Sequence, residues 1–109
     1  MAENLETELD KINKELKKLR VNICFVDDFD NEENNFLKYD SLDKILDEKG
    51  NYSLRMEFTN PKSKGDVVVK HNLNYDETLD EISKNFPIDS IAYNSKVFIK
   101  ENKSLVGMV

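Results

Sequence analysis

A chain of 109 residues, 39% hydrophobic and 35% charged, is long enough for one domain with its own core, and its apolar residues recur too regularly for a disordered segment. The formal charge of −6 argues against direct nucleic-acid binding, because phosphates demand a contiguous basic surface, and one cysteine with one histidine builds neither an internal disulfide nor a zinc site of the usual kind. No segment approaches the ~20 apolar residues of a membrane span, and the start has no basic region leading into an apolar run, so the expected location is cytoplasmic.

Residues 3–20 read as an amphipathic helix, with Leu5, Leu9, Ile12, Leu16 and Leu19 recurring at intervals of four and three. Acidic residues gather in its first half and basic ones in its second, which suits the helix dipole. The leucine seam either packs on the helix's own domain or joins two copies of the chain as a coiled coil. Residues 21–26 are short and β-rich and read as a buried strand. Cys24 is then a small core residue, since the neighbouring Asp27 and Asp28 disfavour a thiolate.

The stretch from Asp27 to Glu48 holds nine carboxylates against Lys38 and Lys44, a local charge of −7 that accounts for the whole acidity of the chain. Within it, residues 35–39 suggest a short strand. Ser41 reads as an N-cap, followed by a short helix over 42–49 that stops at Gly50. Residues 52–59 alternate apolar and polar, and with residues 66–73 they read as a hairpin across a polar loop. Val67, Val69, His71 and Leu73 would share one face of the second strand. Asn74 and Glu77 have the spacing of a capping box, opening a helix that ends before Pro87. Residues 90–100 end in the apolar group Val97, Phe98 and Ile99, and residues 105–109 suggest a closing hairpin partner. The segment Tyr39–Ile45 echoes Tyr75–Ile82 with one residue inserted, a likeness that chance explains as well as duplication does.

The expected fold is therefore α+β: a small single domain with an antiparallel β-sheet of hairpins, an N-terminal amphipathic helix and two shorter helices. Residues 1–20 form the helix, packed on or extending from an α+β domain of residues 21–109.

Few residues suggest chemistry. An EF-hand loop begun at Asp28 lacks the turn glycine and the closing glutamate, so no metal and no cofactor is expected. His71 has no aligned partner in the sequence, no serine sits in a nucleophile elbow, and Gly50, Gly65 and Gly107 are isolated, so catalysis is not expected. The acidic stretch points instead to a non-enzymatic protein-interaction module. Asp27, Asp28, Asp30, Glu32, Glu33, Asp40, Asp43, Asp47 and Glu48, with Phe29 as an aromatic anchor, would contact a protein partner that presents a basic, nucleic-acid-binding site. Small inhibitors encoded by phages and mobile elements have this composition, and the asparagine- and lysine-rich usage suggests an AT-rich genome. The alternative is an assembly protein, a homodimer joined through Leu5, Leu9, Ile12, Leu16 and Leu19.

Overall fold

The structure is a computed structural model in which residues 7–27, 29, 36–39, 41–59, 66–87 and 89–102 are described. The chain starts with helix α1 (Glu8–Lys18), strand β1 (Asn22–Val26) and strand β2 (Phe36–Tyr39). A 3-10 turn (Leu42–Lys44), strands β3 (Asn51–Phe58) and β4 (Asp66–Asn74), helix α2 (Tyr75–Asn85) and strand β5 (Lys96–Glu101) follow. The fold is α+β, with one five-stranded sheet in the order β2-β1-β5-β3-β4.

The sheet is mixed, not the antiparallel set of hairpins expected from the sequence. β1 pairs antiparallel with β2 and β3 antiparallel with both β4 and β5, but β1 and β5 run parallel, Ile23 opposite Val97 and Phe25 opposite Ile99. Hairpins announce themselves through local turn residues. The β1–β5 pairing joins opposite ends of the chain and has no local signal. It places β5 in the middle of the sheet, which is why Val97, Phe98 and Ile99 are buried in succession on both faces. Residues 105–109, expected as a closing strand, lie outside the described residues.

α1 begins at Thr7, which forms a capping box with Asp10: the Thr7 hydroxyl accepts from the Asp10 N–H at 3.1 Å, and the Asp10 carboxylate accepts from the Thr7 N–H at 3.3 Å. The helix ends in a Schellman arrangement, Val21 N–H to Leu16 carbonyl and Arg20 N–H to Lys17 carbonyl, with Arg20 at φ 57°. That tight reversal feeds β1 directly. α2 starts with the anticipated box, Asn74 accepting from Glu77 N–H at 2.8 Å and Glu77 accepting from Asn74 N–H at 3.0 Å, and it stops at Phe86 before Pro87.

The helix expected over 42–49 is only a 3-10 turn. Ser41 makes no side-chain cap bond, and two amides that would continue a helical ladder, those of Asp47 and Lys49, are taken elsewhere, while the Leu42 amide is one that a helix leaves free at its start. The Leu42 N–H donates to Asn13 Oδ1 at 2.8 Å, the Asp47 N–H to the Tyr52 hydroxyl at 2.7 Å and the Lys49 N–H to Asp47 Oδ1 at 2.8 Å. Tertiary acceptors win over a weak local propensity. Of the two echoed segments, one therefore opens a 3-10 turn and the other an α-helix.

Both helices cover one face of the sheet. Ile12, Leu16, Leu19, Leu79, Ile82 and Phe86 pack on Ile23, Leu54, Met56, Val97 and Ile99. The other face carries a smaller cluster of Cys24, Val26 and Phe98 with Phe29 against it. In β4 a bulge breaks the expected face. Leu54 pairs with Lys70 but Tyr52 with Leu73, so His71 and Asn72, the latter at φ 61°, stand opposite Ser53 alone. The extra residue turns Leu73 to the helix side, while Val67 and Val69 stay on the open side.

Candidate functional site

Helix capping concentrates acid at helix starts, with Glu8 and Asp10 in the first turn of α1 and Asp76 and Glu77 in that of α2. The topology brings these two starts to one end of the sheet. α2 begins where Asn74 pairs with Asn51, beside Tyr52 and its partner Glu101 at the end of β5. β1, parallel to β5, also ends here and leads into Asp27. α1 is tied at its other end, where the Leu19 carbonyl accepts from Asn94 N–H at 2.9 Å, and its Asn13 reaches back to Leu42 and Asp43. The basic last turns, with Lys17, Lys18 and Lys84, point the opposite way. Among the described residues the domain thus gathers acidic side chains at one end of the sheet.

Tyr75 is at the centre of the acidic end. It is half-buried against the main core, and burial, followed by the fields of Glu48, Asp76, Asp43 and Glu8, holds its hydroxyl above the usual tyrosine value. Those four carboxylates come from α1, from the segment around the 3-10 turn and from α2. Asp43 itself lies below the ordinary carboxylate range because the Ser41 hydroxyl and its own backbone bond to it, with Asn13 Nδ2 at 3.3 Å and Lys44 adding to this. Tyr52 is buried nearby, its hydroxyl raised by desolvation and by the charges of Glu101 and Asp47, against the hydrogen bond from the Asp47 amide.

Of the residues singled out from the sequence, Asp43, Asp47 and Glu48 are exposed on this end, and Asp27 is exposed at the same sheet end beyond β1. Asp28, Asp30, Glu32, Glu33 and Asp40 lie outside the described residues. Phe29 is half-buried on Cys24, Val26 and Phe98, its ring 6.3 Å from that of His71. Glu8, Tyr75 and Asp76 were not singled out in the sequence. The capping boxes were the available signal, but only the fold shows that two helix starts meet. Of the leucine seam, Ile12, Leu16 and Leu19 are 6%, 1% and 0% exposed in the main core, and Leu9 packs beside them. Leu5 lies outside the described residues.

Two other places bear on chemistry. His71, exposed on the open face, has Nδ1 3.1 Å from Ser53 Oγ, and Asn102 Nδ2 donates to the same Oγ at 3.1 Å and to Asn51 Oδ1 at 2.9 Å. A nucleophilic relay needs its third group on the far ring nitrogen, whereas Asn102 meets the serine, and Ser53 is 2% exposed. This chain of side chains ties β5, β3 and β4 together. Between α1 and α2 lies an open groove of about 420 Å³ lined by Glu8, Lys11, Ile12, Glu15, Ser83, Phe86 and Pro87. Among the described residues, no group of three or more histidine, cysteine or acidic side chains is arranged to hold a metal ion, and no helix is long and apolar enough to cross a membrane.

The chain matches no family model, and comparison with curated proteins and with solved structures yields no match either.

Proposed function

We propose that this protein is a non-catalytic interaction module that occupies a basic site on a protein partner with its acidic end. The observation that carries the reading is that the starts of both helices, with Glu8 and Asp76, and the segment of Asp43 and Glu48 lie at one end of the sheet, where their charges act on the Tyr75 hydroxyl. Carboxylates held on three elements of one folded domain have their backbone positions set before binding, which lowers the ordering cost, and an aromatic ring among them supplies the residue type enriched at the centre of interfaces. Opposing charge on a partner, such as a groove that otherwise holds nucleic acid, would speed encounter, while Tyr75 and the carboxylates nearest it would set the lifetime of the complex. Asp27, exposed beyond β1, extends the same charge. In this reading the protein acts as an inhibitor, of the kind encoded by phages and mobile elements.

The test is capture of partners from a cell lysate by the native chain beside a variant carrying Glu8→Gln, Asp43→Asn, Glu48→Gln and Asp76→Asn. Each capture is run at low and at moderate salt and with added nucleic acid as competitor. A basic, nucleic-acid-binding protein held by the native chain alone, and released by salt and by nucleic acid, supports the reading. Equal capture by both chains sinks it.

A further inference from the structure

We infer that the outer edge of β4 is a self-association surface, at which residues Asp66–Lys70 pair antiparallel with the same residues of a second copy about a two-fold axis through Val68. β4 is the last strand of the sheet, and its far edge meets no other strand among the described residues. An edge strand presents a row of backbone donors and acceptors, and proteins blunt such edges with proline, bulges or short length. Asp66–Lys70 has no proline and keeps regular register against β3, and the bulge comes only afterwards at His71 and Asn72. This part of the edge is therefore straight and β-rich.

The sequence of that segment fits its own reverse. With Val68 opposite Val68, Val67 falls opposite the partner copy's Val69, and Asp66 opposite its Lys70, twice over by symmetry. The valine pairs lie on the open face, where Val67 and Val69 are 45% and 43% exposed, two of the four large apolar side chains so exposed among the described residues. The opposite charges lie on the other face, where both side chains are exposed. Residues directly across an antiparallel pair interact most strongly, so one register satisfies apolar contact and charge together. A shift of one residue would bring Asp66 opposite Val69 and Val67 opposite Val68, which keeps a valine contact but breaks both charge pairs. The product is a continuous sheet shared by two copies. The surface is separate from Ile12, Leu16 and Leu19 of the main core and from the acidic end around Tyr75.

Sedimentation of the native chain over a concentration series up to the millimolar range should show a monomer–dimer equilibrium. Asp66→Lys and Lys70→Asp each set like charges opposite one another at two symmetric positions, and each should raise the dimer dissociation constant by about tenfold or more. The double swap, with both changes in one chain, should restore dimerisation. Melting curves of all three variants, taken where the chain is monomeric, separate a lost interface from a weakened fold, since Asp66 also has an interaction within its own chain. In the unmodified protein, hydrogen exchange at the outward-facing amides of residues 66–70 should slow as concentration rises. A native chain that stays monomeric throughout overturns the inference. So does a dimer indifferent to the single changes, a double swap that fails to recover, or a β4 edge that binds only foreign extended peptides.

Discussion

The Tyr52 hydroxyl stands over Gly50 and accepts the Asp47 backbone N–H at 2.7 Å, so one buried side chain closes the turn that leads into β3. A Cβ at residue 50 would meet that hydroxyl and lie 2.5 Å from Tyr52 Cζ, which makes glycine there a matter of close approach. Tyr52→Phe should cost about 1–2 kcal/mol, since it leaves a part-buried amide without its acceptor, and Gly50→Ala about 1–3 kcal/mol through displacement of the ring. Denaturant unfolding of the two variants measures both. A neutral Gly50→Ala would mean that the ring does not rest on residue 50.

Tyr52 and Tyr75 should ionise late. Both hydroxyls are held above the usual tyrosine value, first by burial and then by neighbouring carboxylates. A group whose folded pKa is raised lends stability that is complete below its unfolded value, about 10 for tyrosine, and that is lost as pH rises through the folded value. Unfolding free energy should therefore fall on the alkaline side of pH ~10. Tyrosinate absorbance should show part of the tyrosine signal appearing above the range of free tyrosine. Glu48→Gln removes the largest of the charges acting on Tyr75 and should shift the late phase downward. An unchanged titration would remove Glu48 from the cluster.

Ile12→Asp tests what the leucine seam does. Ile12 is 6% exposed in the main core, so a carboxylate there should destabilise the fold by roughly 3–5 kcal/mol. The loss should be the same at every protein concentration, because the seam is satisfied within one chain. A variant that melts like the native protein but changes its oligomeric state would put the seam at an interface.

Arg20 sits at φ 57° in the position that closes α1, a conformation that favours glycine. Arg20→Gly should raise stability by roughly 0.5–1 kcal/mol, as relief of the strained backbone outweighs the greater freedom of the unfolded chain. Thermal melts and denaturant curves measure the sign directly, and a loss of stability would mean that the arginine side chain contributes more than its backbone costs.

Asn13 ties α1 to the 3-10 turn through the Leu42 N–H at 2.8 Å and Asp43 Oδ1 at 3.3 Å. Asn13→Ala should cost about 1–2 kcal/mol. It should also raise the titration midpoint of Asp43, because one of the bonds that favour its charged form is gone. Carboxyl chemical shifts followed through acidic pH check this, and an Asp43 midpoint unmoved by the change would show that Ser41 and the backbone suffice.

Local chemistry made several features legible in the chain itself. The 3.6-residue period from Leu9 to Leu19 marked α1, the alternation from Tyr52 to Phe58 marked β3, and the Asn74–Glu77 spacing marked the start of α2, because each depends on residues a few positions apart. The α+β class followed from these. Tertiary contacts decided the rest. The parallel β1–β5 pairing joins distant segments, the segment after Ser41 lost its helix as the Asp47 amide turned to the Tyr52 hydroxyl, and a single bulge at Asn72 reversed the outlook of Leu73. The acidic end belongs to this second group. Asp43, Asp47 and Glu48 could be read as charge in one stretch, but Glu8, Tyr75 and Asp76 join them only because the topology turns both helix starts to the same end of the sheet. Charge that is scattered along a sequence becomes a field only where the fold brings it together.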